Sequence, residues 1–154
     1  MAHIPFSLET LSNSQDFDIY KGTEEVVAFE ESLVNALPDG ETQYIIGGGA
    51  GAFISFFGDK YEEISSVARA HGFKAKYIGA PSEREWLKRA QAANSYFEYR
   101  ILDVLPTTSV QTAIRFNSVT FYSFGNPPLV YIVKSKSAYE DYRKFFDALW
   151  DLAK

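Results

Sequence analysis

The segment 99–154 limits the possible folds more than any other, because it reads as three short strands closed by one amphipathic helix. The strand runs are 112–116, 118–124 and 129–133, each rich in β-branched and aromatic residues. They are separated by Asn117-Ser118 and by Gly125-Asn126-Pro127-Pro128, a spacing that predicts a hairpin followed by a third strand. A helix is expected over 137–154, opened by Ser137 with Glu140 three residues on, a pattern in which each side chain satisfies the other's backbone amide. Tyr139, Tyr142, Phe146, Leu149, Trp150 and Leu152 fall on one side of its period, with Phe145 beside them. Such a face has to be buried against another layer.

Upstream, strand and helix patterns alternate. A strand over 16–20 leads through Lys21-Gly22 into a helix over 23–37, with Thr23 as its cap and Glu24 and Glu25 at the positive end of its dipole. Val26, Phe29, Leu33 and Leu37 form its apolar stripe. An apolar strand over 43–46 runs into Gly47-Gly48-Gly49-Ala50-Gly51-Ala52, followed by an apolar turn over 53–57 and a helix over 60–70 capped by Asp59. A strand over 73–78, a helix over 83–93 entered through a Ser82 and Glu85 capping box, and a strand over 96–102 complete the series. Alternation of this kind predicts an α/β fold with a mixed β-sheet, parallel in part, flanked by helices on both faces. At 154 residues and 46% hydrophobic content the chain suits one domain, placed at 16–154 behind a polar leader over 1–15 that is expected to be flexible.

Composition removes several classes of function. A net charge of -5 opposes a phosphate backbone as the main partner, so no direct nucleic-acid contact is expected. Without cysteine there is no disulfide, thiolate nucleophile or Cys-based zinc site. The N-terminal residues show no basic stretch followed by an apolar run, and nothing approaches membrane-spanning length. A soluble cytoplasmic protein with no membrane partner is expected. The two histidines are His3 and His71, the latter read as the exposed end of a helix before a capping glycine; no metal or other cofactor is expected.

Two features could carry binding. The run Gly47-x-Gly49-x-x-Ala52 after a strand formally fits a loose dinucleotide fingerprint, in which glycines let the backbone approach a pyrophosphate. The next strand lacks the terminal acidic residue that would hold a ribose, and no Lys-Ser or Lys-Thr follows the glycines. The run is therefore either a close-packed strand-to-helix turn or a ligand-facing loop. The second feature is the strand-borne charges Glu98, Arg100 and Arg115, which are either salt-bridged or anchor an anionic or hydroxyl-rich ligand. The acidic pairs Glu24-Glu25, Glu30-Glu31, Glu62-Glu63 and Glu140-Asp141 are read as solvated helix faces.

The order of Ile19-Tyr20-Lys21-Gly22, the helix over 23–37, the strand-glycine segment 44–48, Tyr99-Arg100-Ile101, Asn117-Ser118-Val119 and the closing Tyr142 to Trp150 resembles the effector-sensing domain of TrmB-like transcriptional regulators. That domain is similar to one half of a phospholipase D-type fold, and the resemblance runs from about Asp18 onward. It implies a single phospholipase D-like domain, a sugar-like polar ligand, and a homodimer or a regulator partner. Such regulators carry a winged helix ahead of this region; the leader over 1–15 is too short for one, so a DNA-reading role is not carried over. Catalytic phospholipase D-like enzymes use a His-x-Lys-x-x-x-x-Asp motif. With the Asp position on Asn117, the Lys position falls on Thr112 and the His position on Val110. Valine cannot attack phosphorus and threonine cannot supply the cationic contact, so no phosphodiesterase chemistry is expected by this route.

These readings converge on a non-catalytic, small-molecule-sensing or regulatory domain. Its pocket is expected at the strand ends near Gly48, Gly49 and Gly51, bordered by Phe53, Glu98, Arg100 and Arg115. A protein-interaction module would instead expose apolar surface on the last helix or a sheet edge. An unrecognised enzyme would need convergent polar residues, for which Glu98, Tyr99 and Tyr122 are the first places to look.

Overall fold

The structure, a computed structural model, describes residues 15–154; the expected leader lies almost wholly outside the described residues. In chain order the elements are β1 (Asp16–Lys21), α1 (Thr23–Ala36), β2 (Thr42–Ile46), α2 (Ala50–Phe57), α3 (Asp59–Ala70) and β3 (Lys74–Gly79). A 3-10 turn (Pro81–Glu83) then leads into α4 (Arg84–Ala93), β4 (Phe97–Ile101), β5 (Val110–Arg115), β6 (Ser118–Ser123), β7 (Leu129–Lys134) and α5 (Lys136–Leu152). The seven strands form one sheet in the order β1-β7-β6-β5-β2-β3-β4. β2, β3 and β4 run parallel, and every other pairing is antiparallel. The expected α/β fold with a mixed sheet and a C-terminal amphipathic helix is the one observed.

Strand alternation sends successive side chains to opposite faces, and the two faces are covered differently. On one face Val26, Phe29 and Leu33 of α1, Phe57 of α2 and Ile64 of α3 bury Ala113, Tyr122, Val130 and Ile132. Leu87 of α4 packs beside them on Tyr77 and Ile101. Among the described residues the other face is served by α5 alone, whose Phe146 lies on Ile78, Ile114 and Val119. One helix cannot roof seven strands, and Phe17, Ile19 and Tyr131, on the same face of β1 and β7, are 63%, 54% and 45% exposed.

The helix starts depart from expectation in a consistent way. Segment 53–57 is not a turn but part of the helix α2, because the Phe53 and Phe57 rings pack tilted against each other at 4.6 Å and Phe53 packs on Tyr61, Tyr122 and Phe124. Aromatic packing outweighs the low helix propensity of Gly51. Gly22 and Gly58 stand at the cap positions of α1 and α3, leaving Thr23 and Asp59 inside the first turns. At α5 the cap is Ser135 rather than Ser137: its Oγ accepts a 3.1 Å hydrogen bond from the Ala138 amide. Replacing Ser135 with alanine is expected to cost about 1 kcal/mol in a urea titration, whereas Ser137→Ala is expected to change little. His71 does end α3 before Gly72, with its Nδ1 2.7 Å from Asp39 Oδ1.

Candidate functional site

The glycine run closes on a carboxylate of its own chain. Glu83, 7% exposed in the 3-10 turn, reaches back to the end of β2. Its Oε1 accepts from the amides of Gly48 and Ala80, each at 2.8 Å. Its Oε2 accepts from the amide of Ala50 at 3.0 Å and from the Tyr77 hydroxyl at 2.8 Å. The positive end of α2, where a pyrophosphate would sit in a dinucleotide site, therefore already holds an anion. Burial, reinforced by the neighbouring Glu83 charge, pushes the Tyr77 phenol far above its ordinary range, so it serves as a donor. Gly48 has φ +98, and a Cβ there would meet Pro106 O at 2.7 Å; a Cβ on Gly49 would meet Val110 O at 2.5 Å. Gly48 and Gly49 thus sit in a close-packed strand-to-helix turn. Gly51, by contrast, is exposed with open space around it.

Arg115 is not at a ligand-facing rim. It is 2% exposed beneath α1, where its Nη1 lies 3.2 Å from Glu30 Oε2 and 3.3 Å from Gln43 Oε1. Its Nη2 donates to the Tyr122 hydroxyl, which in turn donates to Glu30 Oε1 in a short contact. Burial raises the Tyr122 phenol well above its usual value; Arg115 pulls it down and Glu30 pushes it up. Glu30 is thus a buried ion-pair partner, not part of a solvated pair with Glu31. It continues the apolar stripe of α1, four residues after Val26 and three before Leu33, and that spacing was the available signal.

Arg100 occupies the opposite face of the sheet. Its Nη1 donates to Trp150 O at 2.8 Å, and its guanidinium lies over the Trp150 ring, 4.6 Å from the centroid. It neutralises the negative end of α5. Glu98 is exposed on the edge strand β4, with Tyr99 half-buried beside it. The structure therefore does not gather Gly48, Gly49, Arg100 and Arg115 around one pocket. Of the expected set, Phe53 lines a cleft of about 140 Å³ on the helical face, and Arg115 stands behind two of that cleft's walls, Glu30 and Gln43.

Val110 and Thr112 lie at the start of β5, and Asn117, at φ 50, makes the β5–β6 turn. Among the described residues no group of three or more His, Asp or Glu side chains is placed to hold a metal, and no helix is long and apolar enough to cross a membrane.

A mixed seven-stranded sheet with four helices on one face and a single C-terminal helix on the other defines a phospholipase D-like domain. The chain is similar to NucT from Helicobacter pylori, at 10% identity and a TM-score of 0.67 over 91% of this chain and 98% of that one. It is similar to Nuc from Salmonella typhimurium, a phospholipase D family member, at 13% identity and 0.61 over 92% and 97%. It is also similar to TrmBL2, an archaeal chromatin protein with a novel mode of DNA binding, at 14% identity and 0.62 over 93% of this chain. The chain spans 55% of the length of TrmBL2. No protein-family model and no curated protein matches the sequence. At these identities the likeness establishes the fold alone.

Proposed function

We propose that this domain is a non-catalytic regulatory module that senses a small molecule. The observation that carries the proposal is the replacement of reactive groups by inert ones where the fold resembles an enzyme. With the Asp position of the His-x-Lys-x-x-x-x-Asp motif laid on Asn117, Thr112 and Val110 stand at its Lys and His positions, and the amides that could cradle a phosphate are committed to Glu83. A chain of this kind retains a cleft and loses the nucleophile. TrmBL2 binds DNA, but here a net charge of -5 sets the surface against phosphate backbones, and DNA contact is left out of the proposed role.

The test has two arms on the purified protein. Hydrolysis of bis(p-nitrophenyl) phosphate is expected to stay at the buffer rate, and a measurable turnover would remove the non-catalytic half of the proposal. Thermal unfolding against a panel of sugars, nucleotides and other metabolites is expected to show a saturable rise in midpoint, since a ligand bound only by the native state stabilises by mass action. The Arg100→Ala variant is expected to keep that rise, because Arg100 lies on the other face. A flat response across the panel would favour a second reading, a protein-interaction module or partner of a regulator, including a homodimer. Phe17, Ile19, Tyr131 and Phe145, each exposed by 45% or more, supply the apolar surface for it.

A further inference from the structure

We propose that the cleft between α3 and α4 binds a small uncharged aromatic or heteroaromatic ring that carries one N–H or O–H donor. The inference rests on the sensing role above and gives it a place and a ligand class.

The cleft has two connected parts. The inner one, about 140 Å³, lies over β2 and β5, and the outer one, about 300 Å³, opens between α3 and α4. Gln43, Tyr61, Ser65, Ala68, Trp86 and Phe97 line both, so the outer part is the mouth of the inner. A cavity of roughly 150 Å³ takes up a benzene ring, which sets the size of the inner occupant. Its walls suit a ring. Trp86 stands perpendicular to Phe97 at 6.2 Å and tilted to Tyr77 at 6.1 Å, an arrangement that offers faces and edges to a further aromatic.

The charge of the ligand follows from the groups around it. Glu30 lines the inner part, but its carboxylate already accepts from Arg115 and Tyr122, so the site presents no uncompensated charge. An ionised ligand would lose its hydration without recompense there. The donor follows from Gln111. It is 7% exposed and lines the inner cavity, and its Oε1 has no hydrogen-bond partner among the described residues. A buried acceptor left unpaired is costly, and a ligand N–H or O–H at this point removes the cost.

The test uses phenol and indole as probes, with toluene as a ring lacking the donor and glucose as a polyol. By isothermal titration phenol and indole are expected to bind saturably and about tenfold more tightly than toluene, a margin of one buried hydrogen bond. Gln111→Met is expected to erase that preference while keeping ring binding, and Ala68→Phe, which fills the neck, to weaken all rings by tenfold or more. Phenol is expected to give intermolecular NOEs to the methyls of Val34 and Ile45, a readout on the wild-type chain that decides the location even where a variant fails to fold. Absence of ring binding up to solubility, meaning that the cavity holds water only, overturns the proposal, as does binding that yields no such NOEs. If sugars or nucleotides raise the unfolding midpoint while the rings do not bind, sensing stands and this site falls; if nothing binds, both fall.

Discussion

Replacing Glu83 with alanine is expected to lower the unfolding free energy by about 3–5 kcal/mol, as several buried donors lose their shared acceptor at about 1–3 kcal/mol each. The size follows from the number of groups that lose a partner. Three backbone amides, those of Gly48, Ala50 and Ala80, and the Tyr77 hydroxyl all converge on this one carboxylate. A buried donor left unsatisfied costs about 1–3 kcal/mol, and some of the four will recover water once the side chain is gone. Glu83→Gln is the discriminating variant. It keeps the shape and one acceptor oxygen but points an amide NH₂ at two donors, so an intermediate loss is expected. Urea denaturation of the wild type and both variants checks the order. An alanine variant within about 1 kcal/mol of wild type would mean that the glycine turn holds its shape without the carboxylate, against the range expected from its four bonds.

The second large effect is at Arg115. Its truncation to alanine is expected to cost about 3–5 kcal/mol, because Glu30 would remain buried without its counter-charge. The pair as a whole is expected to contribute far less. Arg115→Met combined with Glu30→Leu replaces both charges by apolar groups of similar volume, and such exchanges are often neutral or stabilising by about 1–4 kcal/mol. Tyr122 hydrogen-bonds both charged groups, so Tyr122→Phe belongs in the same double-mutant series. If the double variant is no more stable than Arg115→Ala alone, the cost comes from the lost packing of the long arginine side chain and not from a stranded carboxylate.

Much of this architecture was legible in the residues, and the parts that were not share a cause. The β5–β6–β7 meander and α5 are read from local alternation and period, both of which the final structure keeps. The sequence does not show α2 because 53–57 is short and apolar, and its contacts with Tyr122 of β6 and Phe124 just after it, far along the chain, favour the helix. The glycine run was recognised, but its partner was not, since Glu83 lies 35 residues from Gly48 and looked like an ordinary first residue of a helix. Arg100 and Arg115 look alike as charges within strands, yet they face opposite layers. Each strand's own alternation cannot relate its parity to that of another strand; the sheet order does that. Gln111 shares a face with Arg115 by alternation, but its place in the cavity wall depends on residues of α2 and α3 that pack over the sheet.

The bonds to Glu83 also determine how this region can move. A glycine-rich turn would ordinarily fluctuate by itself, opening and closing without disturbing its surroundings. Here the Gly48 and Ala50 amides are fastened to a residue from beyond β3, so the turn cannot open without releasing the Pro81–Glu83 segment and the Tyr77 hydroxyl as well. The Gly48 and Ala50 amide protons are therefore expected to exchange slowly, together with those of the parallel strands β2 and β3, as a single cooperative unit.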